Sequence, residues 1–99
     1  KLGIFEVHPE LSFMAMNDMR LIKASKKTDI GREIRIKLVK KFFPNFSFEL
    51  VRNKYKKTEV LDDDILDSIS VLWSTQRIVD NIAKFVPRDH KKTNMRIYF

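Results

Sequence analysis

Residues 62–85 read DDDILDSISVLWSTQRIVDNIAKF. Ile65, Ile69, Leu72, Val79 and Ala83 fall on one stripe at helical spacing, with Leu66 and Trp73 beside it, which predicts a long amphipathic helix starting near Leu61 or Asp62 and running to about Phe85. Three consecutive aspartates open it, where carboxylates complement the helix dipole, and Pro87 ends it. Upstream, Thr28 followed by Asp29 reads as a helix cap. Ile30, Ile34, Leu38 and Phe42 then repeat every four residues, so a second amphipathic helix should run to about Phe43, with Pro44 stopping it. Its other side presents Arg32, Arg35, Lys37, Lys40 and Lys41.

Around these helices the β signal is confined to the two ends. Residues 3–8 are rich in β-formers and bounded by Pro9, which suits a buried strand carrying Glu6; Pro9 then sits at the first turn of a short helix reaching Asn17. Residues 19–24 fit a short strand or an extended connection equally. After Asn45 the pattern weakens to a short apolar element (Phe46, Phe48, Leu50, Val51) and then an exposed basic loop with Arg52, Lys54, Lys56 and Lys57. Residues 95–99 alternate enough for a closing strand. The expected architecture is α/β: a few strands, two main amphipathic helices and a closing C-terminal strand, within one domain spanning residues 1–99.

Composition narrows the chemistry. The 99 residues include no cysteine and two histidines, His8 and His90, so a disulfide framework or cysteine zinc site is ruled out and any metal must be held by oxygen. No apolar run is long enough to span a bilayer and no secretory pattern opens the chain, which makes a cytoplasmic location the default. The formal charge of +7, from 20 Lys and Arg against 13 Asp and Glu, favours polyanionic partners, nucleic acid first, although a solubilising surface accounts for it equally well. No Gly-rich phosphate loop, serine-nucleophile arrangement or dinucleotide fingerprint is present.

Asp62, Asp63, Asp64 and Asp67 form the dense acidic cluster of this basic chain. Asp64 and Asp67, three apart, share a helix face and could share one divalent cation, with Ser68 and Val71 beside them. A capping role explains the same acids. Glu6, inside an apolar strand, must reach solvent, a cation or a basic partner, because burying it alone is costly. A strand carboxylate facing helix carboxylates suits Mg²⁺ or Mn²⁺. His8 reads either as a proton carrier or as a structural residue, and Trp73 and the eight phenylalanines read as core packing rather than base stacking.

The stretch Phe5-Glu6-Val7-His8-Pro9-Glu10-Leu11-Ser12-Phe13, then Ser25-Lys26-Lys27-Thr28 with Gly31 and Arg35, then Asp63-Asp64-Ile65-Leu66-Asp67-Ser68, resembles the domain-of-unknown-function 429 family, predicted RNase H-like nucleases. The resemblance implies a partial RNase H-like fold, the C-terminal part of a domain whose first strands and first catalytic Asp lie outside this stretch. It implies Glu6, Asp64 and Asp67 as catalytic metal ligands, with Glu10 a further candidate, and likens Asp64 and Asp67 to the paired aspartates on the last helix of Holliday-junction resolvases. The implied activity is phosphodiester hydrolysis by two cations about 4 Å apart. Lys26, Lys27 and Arg35, beside the helix start at Thr28, would then contact backbone phosphates. The alternative expectation is a non-catalytic nucleic-acid-binding or assembly module with a basic surface. A homodimer formed through the strand edge at residues 3–8 is a third.

Overall fold

The computed structural model describes residues 5–56, 61–87 and 96–99. It is a small α/β fold. Strand β1 (Glu6–Val7) leads into α1 (Pro9–Met16), followed by α2 (Asp29–Phe42), α3 (Phe48–Lys54), α4 (Asp62–Val79), β2 (Phe85–Pro87) and β3 (Arg96–Tyr98). The three strands order β1-β3-β2, so the last strand in sequence is central. It pairs parallel with β1, Glu6 opposite Ile97, and antiparallel with β2, Val86 opposite Ile97. Both expected end strands are therefore present within the described residues; Gly3, Ile4 and Met95 lie outside them.

Local chemistry sets the helix starts. Pro9 occupies the first turn of α1, where its missing N–H costs nothing. Thr28 caps α2 as its sequence predicts: its Oγ1 accepts the Gly31 N–H at 3.0 Å and donates to the Ser25 carbonyl at 2.7 Å. Ser47 caps α3, accepting from Leu50 N at 3.3 Å, so from Phe48 onward the short apolar element resolves into a helix that also takes in Arg52 and Lys54 from the expected basic loop, with Phe46 ahead of it. Lys57 lies outside the described residues. Residues 20–24 form an irregular connection without strand pairing.

Phe13, Met16, Val39 and Leu66 form the core cluster, with Ile36, Phe43, Ile69 and Trp73 packed on it. Two helix faces differ from the sequence expectation. On α2 the buried line is Gly31, Arg35 and Val39, one position round from the expected Ile30 stripe, and Ile30 is 70% exposed. The helix is rotated because Arg35, expected on the outer basic side, is drawn inward to a carboxylate on α1. On α4 the buried face is Ile65, Leu66, Ser70 and Ser74, while Leu72 and Val79 are exposed. Here α1 lies against α4, and the hydroxyls of Ser12 and Ser74 meet at 2.7 Å in the interior. Small hydroxyl residues let two helix backbones approach, and the mutual hydrogen bond satisfies both groups.

Helix α4 also ends earlier than its periodicity suggests. Asn81 takes a left-handed backbone conformation (φ 59°), which Asn tolerates better than most residues, and the Ile82 N–H returns to the Arg77 carbonyl at 2.9 Å. The chain then leaves the helix, and Phe85 joins β2 with its ring 5.7 Å from that of Tyr98.

Candidate functional site

The start of α4, the turn at residues 24–28, the start of α2 and α1 come together, and their charges are cross-linked. Asp62 receives Arg52 Nη1 at 2.6 Å and Arg32 Nη1 at 3.4 Å. Asp63 receives Lys27 Nζ at 2.7 Å, with Lys26 Nζ at 4.0 Å. Asp67 receives Lys26 Nζ at 2.9 Å. Asp64 is exposed and turns back to accept the Leu61 N–H at 3.2 Å, while Ser68 Oγ donates to its main-chain carbonyl at 2.8 Å. The cluster thus contains a capping carboxylate and three that are paired with cations.

Arg35 is 2% exposed and fills its donor fork. Its Nε and Nη2 reach Glu10 at 3.2 and 2.5 Å, and its Nη1 donates to the carbonyls of Ala24 at 2.9 Å and Gly31 at 3.0 Å. Its guanidinium also lies 5.6 Å from the centre of the Phe13 ring. A buried guanidinium is tolerable because a carboxylate and two carbonyls replace its water. Arg35 therefore ties α2 to α1 and to the turn, and Glu10 is its counter-ion. Gly31 makes the approach feasible: a Cβ there would collide with the Ser25 carbonyl oxygen and lie 3.0 Å from that of Ala24.

Asp67 differs from its neighbours. One carboxylate oxygen bonds Lys26; the other, Oδ1, is buried without a hydrogen-bond partner. Burial pushes its carboxyl above the ordinary value of 3.8, opposed by Lys26 and reinforced by the nearby charges of Asp63 and Glu10. The Asp63 carboxyl is held below that value, chiefly by Lys27. Lys26 is raised, first by its hydrogen bond to Asp67. The Lys26–Asp67 pair is lopsided for a physical reason: the ammonium keeps much of its water, whereas the carboxylate gives up more hydration than one ammonium returns.

Of the residues singled out from sequence, Asp64, Asp67, Ser68 and Val71 do line one open depression on α4. Glu6 stands on β1, against which α4 packs, and meets His8 Nε2 at 2.7 Å. Glu10 faces Arg35, Lys26 faces Asp67, and Lys27 faces Asp63. Among the described residues no three His, Cys, Asp or Glu side chains converge as metal ligands. Sequence reasoning did not find the Arg32–Asp62–Arg52 link or the inward turn of Arg35. The one signal for the latter is the spacing of Gly31, Arg35 and Val39, four apart, a face on which a missing side chain leaves room for a long one.

A family model described as "Protein of unknown function (DUF429)" matches residues 1–92. No curated protein and no solved structure matches the chain.

Proposed function

The chain belongs to the DUF429 family, and from that premise we propose that it contributes the carboxylate side of a divalent-metal-dependent, RNase H-like nuclease acting on phosphodiester bonds. The observation that carries the reading is Asp67: a carboxylate with one oxygen anchored by Lys26 and the other buried without a partner, on the same helix face as Asp64. An orphaned buried oxygen asks for an explanation, and a cation is one. The donor set fits a single hard cation, Mg²⁺ or Mn²⁺, held by one or two carboxylates and retaining several waters. It does not fit a two-cation cage, since Glu10 is committed to Arg35 and Glu6 does not join the aspartates.

Bound there, such a cation would activate water and stabilise the leaving oxygen of a phosphodiester. The chain's own groups do the positioning. Lys26 fixes the Asp67 carboxylate by holding Oδ2, and Ser70 Oγ, donating to the Asp67 carbonyl at 2.8 Å, steadies the same turn. Lys27, two-thirds exposed, can offer its charge to a backbone phosphate without leaving Asp63.

Isothermal titration of Mn²⁺ into the folded wild-type chain and into Asp67→Asn tests this. Saturable uptake of about one ion, lost in the variant, is the expected result; equal weak binding in both would overturn the metal site. One observation favours a second reading, a non-catalytic nucleic-acid-binding module: Lys26 and Lys27 already neutralise Asp67 and Asp63. That reading expects strand binding that weakens with salt and is indifferent to chelator.

A further inference from the structure

Phe42, at the end of α2, and Trp73, midway along α4, meet with ring centroids 5.1 Å apart and planes tilted by 58°. They form a wall of a cleft of about 500 Å³ that Leu72, Arg77, Asp80 and Ile82 help to line. Three polar features make this more than an apolar groove. The Arg77 guanidinium lies 4.7 Å from the centre of the Trp73 ring and donates Nη2 to the Ile82 carbonyl at 3.1 Å, yet its Nε–H is buried and has no acceptor. The Asp80 carboxylate, steadied by Gln76 Nε2 at 3.2 Å from each oxygen, offers an acceptor. Outside, Lys41 Nζ stands 5.6 Å from the centre of the Phe42 ring.

We propose that this cleft holds one unpaired base of a single-stranded nucleic acid, stacked on the Phe42–Trp73 wall beside the Arg77 guanidinium, with Lys41 facing an adjoining phosphate. Every base has a π-face, and every base carries an in-plane acceptor. The backbone flanking a base is anionic, which matches Lys41 and the chain's charge of +7. The volume lies within the range of small-molecule pockets, about 300–1,000 Å³. The proposal rests on the nucleic-acid part of the proposed function and is independent of metal: Trp73 is six residues beyond Asp67 on α4, about 9 Å along the helix.

The chain has a single tryptophan, so its fluorescence reports this cleft alone. Titrating a short oligothymidylate into the wild-type chain in EDTA should quench Trp73 saturably, whereas an abasic strand of equal length and charge should not. Phe42→Ala, checked for folding by circular dichroism, should weaken the quench titration about tenfold or more; Arg77→Met provides a second variant that keeps the aliphatic stem and should also weaken it. Because the titration is run in EDTA, a failed metal site leaves it unchanged and a failed base site abolishes it, so the two failures give different results. Absence of quenching, equal quenching by the abasic strand, or quenching that follows protein concentration alone and so marks a second copy in the cleft, would each overturn the proposal.

Discussion

Two aspartates one turn apart on α4 sit in opposite electrostatic circumstances. Asp63 is held below the ordinary carboxyl value by Lys27, so its ionised form contributes stability that is present above 3.8 and is lost as pH falls through its lower folded value. Asp67 is raised by burial, so its folded form takes up a proton sooner than the unfolded chain does. Lowering the pH through that raised value therefore stabilises the fold. Urea unfolding of wild type, Asp63→Asn and Asp67→Asn at a series of pH values separates the two. As pH falls towards 3.8 the wild type should gain on Asp67→Asn, while its advantage over Asp63→Asn should hold until pH passes below 3.8. A constant wild-type to Asp67→Asn difference across that window would mean that the Asp67 carboxylate keeps its water.

Among the elements, the start of α2 is the joint on which the cluster depends. It is capped by Thr28, packed against the turn at residues 24–28 through the bare Cα of Gly31, and pinned to α1 by Arg35. Ala for Gly inside an open helix normally stabilises by about 1 kcal/mol. Here the added methyl meets the main chain of Ser25, which cannot yield as a side-chain tip would. Gly31→Ala should instead destabilise by about 1–3 kcal/mol, the usual cost of overpacking, as read from the shift in its urea midpoint at constant m-value. The displaced turn carries Lys26 and Lys27, so the same variant should loosen their pairs with Asp67 and Asp63.

For the molecule as a whole, the excess of positive charge is not spread evenly over usable sites. Lys26, Lys27, Arg32 and Arg35 are committed to carboxylates, and none of the ion pairs among the described residues involves Lys37, Lys40 or Lys41, all exposed along α2. Polyanion binding should therefore depend mainly on the α2 lysines. On a heparin column, replacing Lys37, Lys40 and Lys41 by Ser should lower the eluting salt clearly more than replacing Lys27 alone, since every anionic group left unneutralised lowers the salt dependence by about one unit. Equal shifts would place the polyanion surface at the Lys27 turn instead. No described helix is long and apolar enough to cross a membrane.

What the chain's order of residues determined is local: helix starts at Pro9 and Thr28, the two long helices, β-structure at both ends, the acidic opening of α4, and the family itself through its three separated motifs. These follow from short-range periodicity, capping and turn chemistry, which act within a few residues. Only the tertiary structure decided which side of each helix faces in. Period alone rates Ile30 above Arg35 and Leu72 above Ser74, yet Arg35 and Ser74 are buried. The reason is that a polar side chain enters the interior when a distant partner meets it there, as Glu10 meets Arg35 and Ser12 meets Ser74. Such partners, 25 and 62 residues away, leave no periodic trace in the sequence. The same holds for the candidate site: the aspartates were legible, but the pairing of Lys26 with one oxygen of Asp67 and the isolation of the other come from how the turn at residues 24–28 is folded against α4.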